Sequence, residues 1–323
     1  MKISLSDDRV RYIFDKMGPR YDNIRDLWYS WLFSRIHFFI AKEVLCHWDA
    51  KPRRVLDAGC GTGLQSFLYA ASGAEVHGVD ISAGLIAIAE NKIEDPPDVA
   101  NLFESHFPFV NTYNQRIGSL CRAWFANAIP RLPTFSLQSL LDLKFSDGDF
   151  DHVNCCGSVL SFIQDHEMAI AEISRVLKPG GTFLLEVDAR YNLDLFWGLL
   201  DSMIGGKLGF EMSVKEALHP ILIPWSDAAC VEYPLGEVDD PVYMPIKLYT
   251  RSGLARDLAR ADLVVDRWKS IHSVTNLFPS TVLDSNKPSR FVEKAFTFLS
   301  AIEEYVPFNL PGCSLVAIGR KRS

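Results

Sequence analysis

Three glycines follow the end of a predicted strand in the stretch RRVLDAGCGTGLQS, which runs from Arg53 to Ser66. The apolar run that ends at Asp57 is typical of a buried strand, and the residues from Leu64 onward are typical of a helix. The glycines between them are Gly59, Gly61 and Gly63. Glycine adopts backbone torsions closed to other residues and lets a ligand approach the main chain closely. This strand, loop and helix therefore predict a binding site for a nucleotide-like molecule.

Strands and helices alternate along the chain from Arg53 onward. The predicted strands are RRVLDAG, AEVHGVD, FSLQSL, FDHVNCCGS and TFLLEVD, and later LVVDRWKSIH and CSLVAIGRKR. The predicted helices are GLQSFLYAASG, a helix capped by Ser82 that runs toward Lys92, QDHEMAIAEISRVLKPGG with a Pro-Gly-Gly stop, and residues 253–261. Such alternation indicates the α/β class, with a parallel sheet covered by helices on both faces.

Three further segments lie outside this alternation. Residues 8–48 have a helical pattern with an aromatic stripe, and residues 93–134 and 189–250 are far longer than ordinary connections. The two long segments are rich in aromatic residues and prolines rather than in the serine and glycine of a linker. We therefore predict an N-terminal helical cap (residues 1–50) on a core (residues 51–323) with inserted cap segments at 93–134 and 189–250.

The glycine spacing distinguishes between two kinds of cofactor. A dinucleotide site has a further glycine where this chain has Leu64. The sequence from Asp57 to Gly63, DAGCGTG, instead resembles the first motif of the class I S-adenosylmethionine-dependent methyltransferases. The resemblance covers residues 53–187 and the closing strands near 263–272 and 312–320. It implies S-adenosylmethionine as the cofactor and a Rossmann-like, seven-stranded, mostly parallel sheet with an antiparallel closing strand.

The resemblance also implies roles for residues at the ends of the first two strands. Asp57 would hold the ammonium group of the cofactor, directly or through water. Asp80 would accept both ribose hydroxyls, and Ile81 would lie on the adenine face. The loop residues against which the amino-acid part would lie are Gly59, Cys60, Gly61 and Gly63.

Two more segments extend the expected cofactor site. SLLDLKFSDGDFDHVNCCGSVLSFI resembles the fourth-strand region of the family, with a serine where an acid is common, and SRVLKPGGTFLLE resembles its fifth-strand region. The residues that this alignment places at the cofactor are Ser139, Leu140, Cys156 and Gly157. FDKMGPRYDNI, residues 14–24, resembles the opening of the ubiquinone/menaquinone-biosynthesis branch, in which this segment closes over the methionine end. Tyr21 and Arg20 are the residues that this likeness brings to the cofactor.

The implied function is methyl transfer to an O, N or C atom of a small, apolar or aromatic metabolite. No catalytic residue is assigned: His166, His219 and His272 are open both to catalytic roles and to structural ones, and His152 is expected to pack in the core or beside the adenine. The aromatic residues Trp197, Phe210, Trp225, Tyr243 and Tyr249 fit an acceptor chamber or ordinary packing equally well. The alternatives are a non-catalytic cofactor-binding partner or regulatory subunit, a nucleotide-dependent oxidoreductase that Leu64 disfavours, and a nucleic-acid methyltransferase.

Composition limits the partners. The net charge of −7 argues against nucleic acid or an anionic membrane, and no apolar run approaches the roughly 20 residues that span a bilayer. The 7 cysteines include no Cys-x-x-Cys pair and no zinc-ligand spacing, which indicates reduced thiols and no metal site. The N-terminus has acids early and lacks the apolar core of a secretory signal. We therefore expect a cytoplasmic protein with a small-molecule substrate and no integral membrane segment.

Overall fold

The computed structural model describes residues 7–22, 26–48, 53–97, 119, 128–210, 213–222, 229–237, 240–284, 288–305 and 310–323, without the side chains of residues 7, 19, 20 and 232–244. The strands are β1 (Arg54–Ala58), β2 (Glu75–Asp80), β3 (Thr134–Leu137), β4 (Phe150–Cys155), β5 (Leu177–Asp188), β6 (Ala229–Glu237), β7 (Asp240–Leu248), β8 (Leu263–Ile271) and β9 (Ser314–Lys321). The helices are α1 (Asp7–Tyr21), α2 (Leu27–Phe39), α3 (Leu64–Ala71), α4 (Ala83–Glu94), α5 (His166–Val176), α6 (Asp194–Ile204), α7 (Val214–Leu222), α8 (Arg251–Arg260), α9 (Ser280–Leu283) and α10 (Arg290–Tyr305).

Seven strands form one sheet in the order β3-β2-β1-β4-β5-β9-β8. The pairs from β3 to β5 are parallel, and β9 runs antiparallel to both β5 and β8. The predicted α/β class and the antiparallel closing strand are therefore confirmed. The chain order reverses on either side of β1, which lies between β2 and β4. In open sheets of this kind ligands bind beyond the carboxyl ends of the strands at such a reversal.

Each strand of the sheet sends alternate side chains to opposite faces, where separate apolar cores form. Val55 of β1 packs in a cluster with residues of α2, α3 and α10. Leu56, the next residue, packs in the cluster that contains residues of α5 and α8. Both side chains are fully buried, as the strands of a sheet covered on two faces require. Helix α2 is thus a layer of the core, and α1 lies apart from it in a third cluster with the hairpin β6–β7.

The predicted elements differ from the observed ones in three places, one of which is the segment between β8 and β9, where α9 and α10 were not predicted. The Pro-Gly-Gly sequence does not end α5, which stops at Val176; it lies within β5, where the pairing with β4 shifts between Phe150 and His152 and Gly180 has a φ of 74°. A bulge of this kind absorbs residues that cannot continue a regular ladder. The long segment 189–250 contains α6, α7 and the hairpin, none of which the sequence analysis predicted.

Residues 98–118 and 120–127, most of the other predicted insertion, lie outside the described part of the chain. Within that part, every helix is too short or too polar to cross a bilayer.

Candidate functional site

The glycine loop is fixed to the neighbouring strand by its own backbone. The amides of Gly59 and Cys60 both donate to the carbonyl of Val79, at 2.8 and 2.9 Å. Gly63, with a φ of 84°, is the last residue before α3, and a β-carbon there would lie 2.7 Å from the ring of Phe135. The tight turn therefore needs glycine at this position for both torsion and space. It brings the first turn of α3 to the end of β1.

Asp80 ends β2 beside this loop. Its Oδ2 accepts from the amide of Gly61 and its Oδ1 from the amide of Ser82, both at 2.9 Å. Burial raises the pKa of this carboxyl, although both hydrogen bonds oppose the rise. Each oxygen keeps one lone pair for a further donor. The carboxylate is thus fixed in place and can accept two more hydrogen bonds.

A cavity of about 890 Å³, including its open mouth, lies at the carboxyl ends of β1 to β4. The predicted cofactor residues that line it are Tyr21, Gly59, Cys60, Gly61, Asp80, Ile81, Ser139, Leu140, Cys156 and Gly157. Of the other predicted residues, two are not among the described lining residues and the third has no described side chain. Gly63 serves the turn, Asp57 lies behind the wall, and the side chain of Arg20 is outside the described residues.

Asp57 lies on β1 and is buried against α3. Its Oδ2 accepts from the hydroxyl of Ser66 at 2.5 Å, and its Oδ1 accepts from Nδ2 of Asn154 at 2.7 Å. Asn154 is its register partner on β4, which places the two side chains next to each other. Burial raises the pKa of Asp57 to about 6, while the bonds from Ser66 and Asn154 oppose the rise.

The turn after β4 forms another wall of the cavity. Gly157 and Ser158 have φ values of 92° and 60°, and their amides donate to Oε2 of Glu186 at 3.0 and 2.7 Å. Glu186 lies on β5 and is completely buried, which raises its pKa. Burial, followed by the charge of Glu186, raises the pKa of Asp188 to about 7. A buried carboxylate thus holds a turn that has left-handed backbone torsions at two successive residues.

Helix α1 forms one wall of the cavity through Val10, Phe14 and Tyr21, and two carboxylates attach this segment. Oδ1 of Asp15 accepts from the hydroxyl of Ser82 at 2.6 Å and from the amide of Gly84 at 3.0 Å. Beyond the helix, Asp22 accepts from the hydroxyl of Thr62 at 2.6 Å and pairs with Lys92, also at 2.6 Å. The segment that carries Tyr21 is therefore held across the cofactor loop at both ends.

Four aromatic side chains form a row along the cavity. The ring centroids are 6.4 Å apart between Phe33 and Tyr21, 6.5 Å between Tyr21 and Phe14, and 5.4 Å between Phe14 and Phe162. Burial, followed by the charge of Asp80, raises the pKa of Tyr21, so its hydroxyl stays protonated. Apart from Tyr21, the sequence analysis did not assign these residues to a site. An aromatic stripe in residues 8–48 was the only signal for Phe14 and Phe33, and Phe162 lies in the segment that resembles the fourth-strand region of the family.

The aromatic residues predicted for an acceptor chamber lie elsewhere. Nε1 of Trp197 donates to the carbonyl of Asn276 at 3.0 Å, and the hydroxyl of the buried Tyr249 donates to the carbonyl of Leu160 at 3.1 Å. Neither residue lines the cavity, and the same holds for Phe210. Trp225 and the side chain of Tyr243 lie outside the described residues.

The candidate histidines are likewise outside the lining. His152 and His272 are completely buried, and burial lowers their pKa to about 3 and about 4. The His272 ring stacks on Trp28 with centroids 3.6 Å apart. His219 is exposed on α7, and His166 lies at the start of α5. The structure brings none of them to the cavity.

One group of potential metal ligands occurs among the described residues: His166, Glu167 and Asp257. Lysine and arginine side chains already contact its ligand atoms. Lys247 lies 2.7 Å from Nδ1 of His166, Arg256 donates to Asp257 at 3.0 Å, and Arg260 donates to Glu167 at 3.0 Å. The arrangement is an ion-pair network around the buried carboxylate of Asp257.

The model of a methyltransferase domain matches residues 30–267. The chain is 28% identical over 179 residues to a demethylmenaquinone methyltransferase of Symbiobacterium thermophilum, which covers 54% of the chain and 57% of that relative. It is 29% identical over 177 residues to a 2-phytyl-1,4-naphtoquinone methyltransferase of Trichormus variabilis, which covers 53% of the chain and 61% of that relative. The chain thus spans little more than half of the length of these curated relatives.

Two solved structures share the fold over nearly the whole chain. The [4+2]-cyclase SpnF superposes with a TM-score of 0.55 and 17% identity, over 97% of this chain and 95% of that one. The magnesium protoporphyrin IX methyltransferase ChlM from Synechocystis PCC 6803, with bound SAH, superposes with a TM-score of 0.52 and 16% identity, over 98% and 99%. At these identities the likeness concerns the fold alone.

Proposed function

Because the chain belongs to the methyltransferase-domain family, we propose that it transfers the methyl group of S-adenosylmethionine to a small, apolar or aromatic molecule. The observation that carries this proposal is the charge of the cavity. Asp80 is fixed in its wall, and no lysine or arginine occurs among the described lining residues. Among these described residues a diphosphate cofactor would meet a carboxylate and no cation, whereas a ligand with a sulfonium and an ammonium group would meet a carboxylate of the opposite charge.

The contacts proposed for the cofactor follow from the order of the strands. Asp80, at the end of β2, accepts the two ribose hydroxyls. Ile81 and the turn with Ser139 and Leu140, after β3, enclose the adenine. The amino-acid part lies at the β1 and β4 side, where the proposed contacts are Tyr21, Gly59, Cys60, Gly61, Cys156 and Gly157. Arg20 remains a proposed contact of the same end, and Gly63 contributes by allowing the turn.

Gln138 is a lining residue that the sequence analysis missed. Its Oε1 accepts from the amide of Lys144 at 2.9 Å and its Nε2 donates to Ser136 at 2.8 Å, so its amide is fixed. The backbone amide of Gln138 donates to the backbone carbonyl of Asp80 at 2.9 Å. We propose that Gln138 holds the adenine turn against the end of β2. The turn thus keeps Ser139 in reach of the base.

The walls support an apolar or aromatic acceptor. Phe14, Phe33 and Phe162 line the cavity, together with aliphatic residues such as Val159 and Ile163. Planar rings prefer offset or edge-to-face contacts with such side chains. The relatives named above act, by their names, on quinone precursors. We therefore propose a lipophilic ring compound as the acceptor, rather than nucleic acid, and a cytoplasmic location for the reaction.

The proposed chemistry needs alignment more than acid–base groups. The sulfonium of the cofactor supplies an activated methyl group and a neutral leaving group. The protein contributes an apolar wall: α1 and the hairpin β6–β7 meet in one apolar cluster with Phe162, which limits the access of water to the reacting groups. Tyr21 and the turn at Gly157 position the reacting end from two sides. We assign no residue as the base that takes the proton of the acceptor.

A non-catalytic cofactor-binding subunit is the alternative. The name of the cyclase SpnF shows that this fold also occurs in a protein with another chemistry. A closed cavity without an acceptor wall would favour the alternative. The row of aromatic residues next to the cofactor loop favours an enzyme instead.

The test combines binding and turnover. Calorimetry is expected to show binding of S-adenosylmethionine and S-adenosylhomocysteine and none of NAD. Deuteromethyl-labelled cofactor, incubated with the protein and a panel of naphthoquinols, phenols and a metabolite extract, is expected to give a labelled product by mass spectrometry. Phe162→Ala, which removes part of the proposed acceptor wall, is expected to lower turnover while the cofactor still binds. Binding of NAD with no response to either sulfur compound would reverse the assignment.

A further inference from the structure

We propose that Gln65 donates a hydrogen bond from Nε2 to the carboxylate of the cofactor, and that Asp57 orients Gln65 without touching the cofactor. The inference deepens the proposed function and rests on it. Neither residue has this role in the sequence analysis, which placed Asp57 at the ammonium group and left Gln65 unassigned.

Asp57 fixes the orientation of Asn154. An ionised carboxylate can only accept hydrogen bonds. Nδ2 of Asn154 lies 2.7 Å from Oδ1 of Asp57, so the amide nitrogen must face the carboxylate; the reverse orientation would bring two oxygens together. Both side chains are buried, with exposed fractions of 1% and 0%, and so have no water with which to exchange partners.

Asn154 in turn fixes the orientation of Gln65. Nδ2 of Asn154 has a second hydrogen, and it donates to Oε1 of Gln65 at 2.6 Å. The other atom of the Asn154 amide, Oδ1, accepts from the hydroxyl of Tyr69 at 3.4 Å, which agrees with the same orientation. Because the oxygen of Gln65 faces Asn154, its Nε2 must face away from it.

The nitrogen of Gln65 therefore faces the cavity. Gln65 is one of the lining residues, and within the described part of the chain its Nε2 makes no hydrogen bond. A primary amide nitrogen offers two donors and no acceptor. The ligand group that it can bind must be an acceptor.

The position of Gln65 selects the carboxylate among the acceptors of the cofactor. Gln65 is in the first turn of α3, where free backbone amides and the helix dipole favour a negative charge. It lies on the β1 and β4 side of the glycine loop, whereas Asp80 lies at the end of β2. With the ribose at Asp80, the amino-acid end of the cofactor extends toward Gln65.

The experiment compares two ligands that differ in the amino-acid part. S-adenosylhomocysteine has the carboxylate, and 5′-methylthioadenosine lacks the whole amino-acid group but keeps the ribose and adenine. Gln65→Glu keeps the size of the side chain and the oxygen that accepts from Asn154, but it replaces the donor with a negative oxygen. We expect calorimetry to show at least tenfold weaker binding of S-adenosylhomocysteine and less than a threefold change for methylthioadenosine.

Asp57→Asn tests the orienting step, because a neutral amide no longer dictates which way Asn154 and Gln65 face. This variant is expected to weaken the binding of S-adenosylhomocysteine selectively, but by less than Gln65→Glu does. Asp80→Ala is the matched control and is expected to weaken the binding of both ligands by the same factor. In the wild type, the side-chain amide signal of Gln65 in ¹⁵N-labelled protein is expected to shift with S-adenosylhomocysteine and not with methylthioadenosine.

The outcomes separate this inference from the proposed function. Suppose that the wild type binds both ligands and that Gln65→Glu leaves the binding of both unchanged or weakens it equally for the two. That result would show that Gln65 does not contact the carboxylate, and the proposed function would still stand. If the wild type binds neither ligand, the proposed function fails and the inference fails with it. Unchanged thermal unfolding of the variants shows that a selective loss is not a loss of fold.

Discussion

Asp80 offers the sharpest test of the cofactor site, because its geometry allows a magnitude to be worked out. We consider Asp80→Ala, which removes an acceptor proposed to serve two ribose hydroxyls. A hydrogen bond to a charged group contributes about 1.5–3 kcal/mol, so two of them contribute about 3–6 kcal/mol. We expect the low end, because the amides of Gly61 and Ser82 already occupy one lone pair of each oxygen. About 3 kcal/mol corresponds to a roughly hundredfold weaker affinity.

The variant also releases the Gly61 and Ser82 amides, so a loss of affinity alone does not identify the ribose contact. A cycle with a modified ligand separates the two effects. S-adenosylhomocysteine and its 2′,3′-dideoxy analogue are each titrated calorimetrically into the wild type and into Asp80→Ala. The dideoxy analogue is expected to bind about a hundredfold more weakly than the parent to the wild type, and about equally well to the variant.

The reasoning is refuted if removal of the hydroxyls weakens binding as much in Asp80→Ala as in the wild type. In that case the diol contacts another group, and Asp80 acts only on the glycine loop. Circular dichroism and thermal unfolding of the variant in the absence of ligand provide the control for an intact fold.

The other predictions concern the groups around the cavity and one buried cluster. Glu186→Met, which leaves the turn at Gly157 without its acceptor, is expected to weaken cofactor binding about tenfold in calorimetry, and Glu186→Gln at most threefold; equal losses would contradict the positioning role. Cofactor affinity is expected to fall as the pH drops below about 6, because the raised pKa of Asp57 lets its carboxylate protonate there. The dependence should be weaker in Asp57→Asn, in which Asp80 and Glu186 still titrate, and an unchanged dependence would contradict the assignment to Asp57. Phe162→Ala is expected to lower kcat/KM for the acceptor about tenfold or more at unchanged cofactor affinity, whereas Trp197→Ala leaves both unchanged; the reverse pattern would place the acceptor at α6. Glu303→Gln is expected to lower the free energy of unfolding in urea by about 3 kcal/mol at pH 7. This difference should vanish as the pH falls below about 4.5, because the fold lowers the pKa of Glu303 and its stabilisation is lost on protonation.

The Glu303 prediction rests on a carboxylate with unusually many donors. Burial alone would raise its pKa, but the charge of His272 and the hydrogen bonds outweigh burial and lower it. Nε1 of Trp31 and the amides of His272, Val274 and Thr275 all donate to it, at 2.8–3.0 Å. The acid on α10 thus fixes the turn after β8. Gln at this position keeps one acceptor oxygen, but its side-chain NH₂ group faces N–H groups that donate to Glu303 in the wild type.

Local patterns in the sequence were sufficient to predict the strand ends next to the cofactor loop. Gly63 has the positive φ that the glycine spacing requires, and Ser82 caps α4 by accepting from the amide of Leu85 at 3.1 Å. Asp80 lies two residues before that cap, so its place at the end of β2 followed as well. Each of these features depends on residues within a few positions of one another, which is the range over which sequence patterns act.

The position of Asp57 shows what such signals leave open. Its place at the end of β1 was predicted, yet its contacts depend on the pairing of Asp57 with Asn154, which is 97 residues away. No local pattern specifies that register. The same holds for α1, whose attachment through Asp15 and Asp22 involves the glycine loop and α4. It also holds for Phe162, which reaches the cavity only because the chain turns after β4. Long-range pairing, not composition, decides these contacts.

The acids around the cavity differ in how they can act on a positively charged ligand. Asp80 is in the wall, whereas Asp57 and Glu186 lie behind it and are buried. Burial raises the pKa of all three, so each gains when a positive charge enters the cavity. Under the proposed function, that gain is present with the sulfonium and absent once methyl transfer has converted it to a neutral thioether. The buried acids therefore favour binding of the charged reactant over its product by an electrostatic interaction without direct contact. The side chains of the wall determine which ligand shape fits the cavity.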